Sequence, residues 1–230
     1  MIEDLPILWP LLISASTIFC AVMLLWAAIR ANATIKAIGF LTALSFVVLA
    51  VQGFLGSSGF YLEVGAVPAR LLGAAPPSIL LLLFVVFVMM PRGADALRTL
   101  TLLHTVRIPV EIVLWGLFIY GQVPQLMTFE GVNPDILSGL TAPLAAWLGF
   151  KDGEPRKVFL IVWNLAALLL LFNIVTRAIL SVPTPFQQFG FEQPNVGVLY
   201  FPFIWLPAFI VPAVFAAHLW SLRELLLPTD

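Results

Sequence analysis

Three ionisable side chains stand together in a stretch that is otherwise apolar: His104, Arg107 and Glu111. On a helix, steps of three and four residues return to one side, so the three fall within roughly 60° of one another. Trp115 continues the same stripe. In hydrocarbon each such group costs about 3 kcal/mol or more at mid-depth, so a membrane helix turns it toward a partner or a cavity. The residue types define the chemistry. Glu111 and His104 can change charge and pass protons, with Glu111 as the exchanging group and His104 as a relay. Arg107 is a permanent cation that can neutralise Glu111, four residues on, or anchor an anion. Asn164, Asn173 and His218, from two later apolar segments, supply hydrogen-bonding groups to the same site. Pro109, inside the stripe, frees a backbone carbonyl beside it.

Two further readings use the same residues. His104 lies six residues after Arg98, and His218 five residues before Arg223. At 1.5 Å per residue both are about 8–9 Å from helix ends on one side of a bilayer. Matched depth on two helices is the minimum geometry for bis-histidine ligation of a b-type haem, so electron transfer through His104 and His218 is one alternative. In the other, Arg107 and Glu111 form a neutralised pair that only holds helices together, and the protein is a non-catalytic subunit or scaffold.

Several chemistries are excluded. The single cysteine, Cys20, removes intramolecular disulfides and cysteine-based metal clusters. Two histidines and one membrane-buried acid fall short of a helical zinc site, so neither a metal nor a catalytic set is expected. The last apolar segment contains no lysine for a retinal Schiff base of the microbial-rhodopsin kind. Gly56-Ser57-Ser58-Gly59 resembles the Gly-x-Ser-Gly of rhomboid-type intramembrane proteases. Such a serine needs a histidine within hydrogen-bond reach, and the charge pattern sets both histidines about 20 Å away. A Gly/Ser turn is expected there. No phosphate loop or dinucleotide fingerprint occurs. A formal net charge of −1 offers no footprint for nucleic acid.

The elements that must position the stripe follow from composition. Hydrophobic residues make up 61% of the chain and charged ones 10%, against roughly half and a quarter in soluble domains. A soluble chain of this length has no core large enough to hide that surplus, which must face lipid. About 20 helical residues cross a bilayer, and the apolar runs divide into seven segments at about 6–29, 37–55, 76–90, 97–120, 133–150, 157–180 and 196–222. The reading is therefore an all-α integral membrane protein, a single domain over 1–230 and a seven-transmembrane-helix bundle. The short fifth segment opens on Asn133-Pro134-Asp135, a cap, a first-turn proline and an acid in favoured order.

Placing the N-terminus outside and the C-terminus in the cytoplasm puts nearly every basic residue within. Arg30, Lys36, Arg92, Arg98, Lys151, Arg156, Lys157 and Arg223 then lie inside. Glu3, Asp4, Glu63, Glu130, Asp135 and Glu192 lie outside with Arg70 as the lone cation. The cytoplasmic (inner) membrane is the expected location. The outer stretches 121–133 and 181–195, rich in Phe, Pro and Gln, are expected to form a lid. The lipid bilayer is the partner implied directly. A small solute or protons, and a second copy or a membrane complex, are partners the polar site and the lid allow.

Overall fold

A computed structural model describes residues 2, 4–67, 69–151 and 153–227. Glu3, one of the acids assigned to the outer side, lies outside the described residues. The described residues form helices and connecting loops, with no strand among them. Six helical spans are long and apolar enough to cross a membrane: Leu8–Arg30, Ile35–Ser57, Arg70–Met89, Ala94–Ile119, Lys157–Leu180 and Leu206–Leu226. We number the α-helices α1 (Leu8–Arg30), α2 (Ile35–Ser57), α3 (Ala75–Phe84), α4 (Leu97–Leu103), α5 (Arg107–Ile119), α6 (Ile136–Leu148), α7 (Lys157–Leu180) and α8 (Val211–Leu226).

Hydropathy and burial sort these spans into two groups. In the span ending in α8, 78% of the most apolar stretch is buried, and in that of α4 and α5 56%. The stretches of α2, α3 and α7 are each only 28% buried, and all three are more apolar than α8. A helix surrounded by other helices can carry polar groups; one that faces acyl chains cannot. The two central spans are accordingly those that hold His104, Arg107, Glu111 and His218. α8 packs against α3, α4 and α7, while α1 runs along both α4 and α5. α6 lies against α4, α5 and α7.

Proline sets the irregularities. Residues 97–120, expected as one helix, are α4 and α5 joined by a 3-10 turn at His104–Val106. Pro109 cannot bond the carbonyl of Thr105 and its ring crowds it, so the helix tightens in the preceding turn. The helix expected from residue 196 begins instead at Leu206 with a π-helical turn, Leu206–Ile210, which α8 continues. Pro202, Pro207 and Pro212 each remove a donor, so the chain ahead of Leu206 keeps only a short 3-10 turn, Gly197–Leu199. Gly56 makes room for that irregular stretch, since a Cβ there would lie 2.7 Å from Ile204 Cγ2. Trp205 Nε1 donates to the Leu49 carbonyl at 2.9 Å and ties it to α2.

The fifth segment differs most from the sequence reading. α6 spans only Ile136–Leu148, 13 residues, and is shorter than the other candidate spans. Asn133 does not cap the helix as expected: α6 starts at Ile136 with Asp135 at its N-cap and no side-chain cap bond, and the Asn133 side-chain oxygen accepts from the Asp135 N–H at 3.2 Å in the turn ahead of it. Gly139 brings α6 against the start of α5, where a Cβ would lie 2.9 Å from the Ile108 nitrogen. Gly149, just past the far end, packs onto Leu160 in the first turn of α7.

Candidate functional site

Arg107 opens α5 at the middle of the span Ala94–Ile119 and is 3% exposed. The sequence pairs it with Glu111; the structure pairs it with Asp135, Nη1 to Oδ1 at 2.9 Å. Nη1 also donates to the Ala167 carbonyl of α7 at 2.9 Å. Nη2 lies 3.0 Å from His218 Nε2. Guanidinium nitrogens only donate, so His218 Nε2 accepts and its proton sits on Nδ1. That nitrogen lies 2.9 Å from Asn164 Oδ1, an acceptor, and Asn164 Nδ2 donates to the Leu160 carbonyl at 2.8 Å. Each bond fixes the direction of the next, leaving one tautomer for His218.

His104 stacks on His218, with ring centroids 3.9 Å apart and planes 23° from parallel, and Trp163 meets its edge at 5.4 Å. Neither nitrogen of His104 has a hydrogen-bond partner among the described residues. Rings so stacked leave no space for a porphyrin between them, and both nitrogens of His218 are engaged. The two histidines as placed do not form a haem site, and no step below depends on one. Among the described residues no cluster of three or more His, Cys, Asp or Glu side chains is arranged to hold a metal.

Glu111 is 1% exposed, and both its oxygens accept from Asn133 Nδ2 at 2.8 Å. The Asn133 amide reaches the Met127 carbonyl as well, at 2.9 Å. The loop after α5 thus folds inward, burying Val123, Met127, Thr128 and Asn133, and delivers Asp135 to Arg107. Asp135, assigned from charge pattern to the outer surface, is 4% exposed and belongs to the buried network. Asn133 and Asp135 were visible in the sequence only as a helix cap. The signal that could have singled them out was the unmet need of Arg107 for a second acceptor.

Of the residues expected together, His104, Arg107, Glu111, Asn164 and His218 converge. Asn173 does not join them: it is half-buried toward the other end of α7, donates to the Val132 carbonyl at 3.1 Å and accepts from Arg177 Nε at 2.9 Å. The stretches 121–133 and 181–195, expected to form a lid, meet where Gln193 Nε2 donates to the Val123 carbonyl at 2.6 Å, and just beyond them the Val196 and Gly197 N–H groups donate to the Gln122 carbonyl. Ser57 and Ser58 donate to the Phe54 and Leu55 carbonyls at the exposed end of α2, as a turn would have them.

Next to the network lies a cavity of about 300 Å³ between α3, α5, α7 and the span ending in α8. Arg107, Glu111 and Asp135 contribute to its wall, as does Asn195, and Val110, Leu114 and Val214 are among its apolar lining. Its volume lies at the lower end of the roughly 300–1,000 Å³ typical of small-molecule sites. The Nε atom of Arg107 and Oδ1 of Asn195 are buried without a hydrogen-bond partner among the described residues.

Residues 66–226 match the family model described as Domain of unknown function (DUF8737). The match takes in α3 to α8, hence every residue of the network and cavity; α1 and α2 precede it. No curated protein and no solved structure matches the chain.

Proposed function

We propose that this chain, which belongs to the DUF8737 family, is a multi-pass protein of the cytoplasmic membrane that binds or translocates a small solute or protons through a buried interior site. The observation that carries the reading is the cavity beside Arg107, Glu111 and Asp135, a polar wall in an otherwise apolar space. A purely structural ion pair would be enclosed on all sides by packing. Here ionisable groups meet open volume at depth, which is where proton and solute pathways keep them.

In this reading Glu111 exchanges the proton. Arg107, held by Asp135, His218 and Ala167, provides the fixed positive charge against which Glu111 changes state. The chain Arg107–His218–Asn164, with His104 stacked alongside, extends from the cavity toward the end of α7 that begins at Lys157. It forms the relay. Seven crossings, with the N-terminus outside, suit this path. The fifth consists of the loop 121–135, folded inward, followed by α6, about 20 Å long at 1.5 Å per residue. Irregular backbone is tolerated at depth where it is buried in protein or lines a cavity.

Proteoliposomes carrying an internal pH-sensitive dye test the reading. The native protein should move protons in response to an imposed pH gradient, and Glu111→Gln should abolish the movement while the protein remains folded by circular dichroism. Equal rates in the two proteins remove Glu111 as the exchanging group.

A further inference from the structure

We propose that the cavity takes its ligand from the bilayer, and that this ligand is an elongated lipophilic molecule carrying a neutral carbonyl group. The inference rests on the binding reading above and names the ligand class. Arg107, Glu111, Asp135, Thr184 and Asn195 are the polar residues of the lining; every other lining residue is apolar. A water-soluble metabolite would gain few partners for its polar groups and lose its hydration.

The mouth points the same way. The exposed residues of the lining form two lips: Leu72 and Pro76 ahead of and at the start of α3, and Ile179 and Phe186 at the end of α7 and in the following loop. Leu72 is 57%, Ile179 51% and Phe186 71% exposed. α3 and α7 both pack against α8, and α3 also against its preceding turn, so the opening lies between two peripheral helices rather than along the bundle axis. Apolar side chains at the rim of such a gap meet acyl chains.

The deep end selects the headgroup. Arg107 uses Nη1 and Nη2 on Asp135, Ala167 and His218, while its buried Nε–H has no acceptor among the described residues. The cation is already matched by Asp135, and Glu111 stands beside it as a second carboxyl group. An anionic headgroup would therefore find no unmatched positive charge among the described lining residues. A carbonyl oxygen accepts from Nε without adding charge. At the outer end, Asn195 Oδ1 is an unpartnered acceptor whose amide is tied to the Ala178 carbonyl. Eleven residues of α7 separate Ala178 from Ala167, or about 16 Å of helix rise, which suits a long molecule with a donor at its far end.

The test uses the full chain in lipid nanodiscs and probes that share a ten-carbon tail: a decyl-substituted benzoquinone, methyl decanoate and decanoate. Retention is read by native mass spectrometry. We expect at least one neutral probe to be held about tenfold more tightly than decanoate, the worth of one buried hydrogen bond. Quinone alone would point to isoprenoid quinones as the source, and the ester to acyl lipids. Val110→Phe, which fills the cavity, should weaken retention about tenfold, whereas Ile18→Phe on the exposed face of α1 should not. Val214→Phe on the opposite wall serves if Val110→Phe does not fold. Stronger retention of decanoate, or unchanged retention in the filled cavity, overturns the proposal. Loss of all probe binding with Glu111-dependent proton movement intact sinks the ligand class alone; loss of both sinks the parent reading as well.

Discussion

Two arginines are buried in this protein, and they are buried for different reasons. Arg223, near the end of α8, donates to the carbonyls of Val86 and Pro91 and pairs with Glu224 at 2.5 Å. Glu224 in turn accepts the Gly93 N–H at 2.7 Å and lies 3.7 Å from Arg92 Nε. The cluster clamps the turn after the π-helical end of the third span, Val85–Met89, where a helix leaves carbonyls unpaired and a positive charge is welcome. Its charged groups are matched, and none of them lines the cavity beside Arg107. Arg107 is equally hidden, but it lines the cavity and its buried Nε has no hydrogen-bond partner among the described residues. Burial and pairing alone do not separate scaffold from site. The separating feature is hydrogen-bonding capacity left over next to space.

The sharpest way to break the comparison is to remove each arginine. Arg223→Met leaves Glu224 buried and the carbonyls of Val86 and Pro91 exposed to an apolar side chain, so it should cost about 3–5 kcal/mol and lower the thermal unfolding midpoint in detergent. Arg107→Met should cost a similar amount by stranding Asp135. The double variant Arg107→Met with Asp135→Leu should then recover most of that stability, since neither charge is left alone. It should nevertheless have lost proton movement and probe retention. If the double variant keeps function, the Arg107 cluster is scaffold like the Arg223 one.

Smaller changes sharpen the contrast. Gly139→Ala would drive a Cβ to within 2.9 Å of the Ile108 nitrogen and push α6 off α5. Overpacking of this kind costs about 1–3 kcal/mol, and the shift should loosen the Asp135–Arg107 pair while leaving the Arg223 cluster untouched. Amide hydrogen exchange would then rise in α6 and not in residues 85–93. The smallest effect is expected for Thr34→Ala. The Thr34 side chain caps α2 by accepting from the Ala37 N–H at 3.3 Å, and its loss should cost about 1 kcal/mol without altering proton movement. A functional defect there would mean that α2, which precedes the family match, takes part in the site.

Segment identity was legible because it depends on composition over about 20 residues. The runs read at 6–29, 37–55, 76–90 and 157–180 recur as spans whose ends shift by a few residues, except that the third begins at Arg70. The clustering of His104, Arg107 and Glu111 on one inward face was legible too, since helical spacing and the expense of charge in lipid suffice to predict it. The 3-10 turn before Arg107 and the π-helical start of the α8 span were not legible, although Pro109 marks the first and Pro207 lies within the second. Proline says that a bond is missing but not how neighbouring helices will absorb the distortion.

What the residues alone determined is therefore what short-range energetics governs: an apolar, helical, membrane-type chain with a polar stripe that cannot face acyl chains. What only the tertiary structure decided is which groups meet. Asp135 lies 28 positions from Arg107 and His218 lies 111, and no periodicity links them. The inward fold of residues 121–135, the stacking of His104 on His218, the displacement of Asn173 from the network and the cavity beside Arg107 all depend on how eight helices divide the interior among them. Charge pattern placed Asp135 in water because pattern counts sequence neighbours. Folding placed it against Arg107 because a buried cation is stable only beside an anion or a set of carbonyls, and the loop was long enough to bring both.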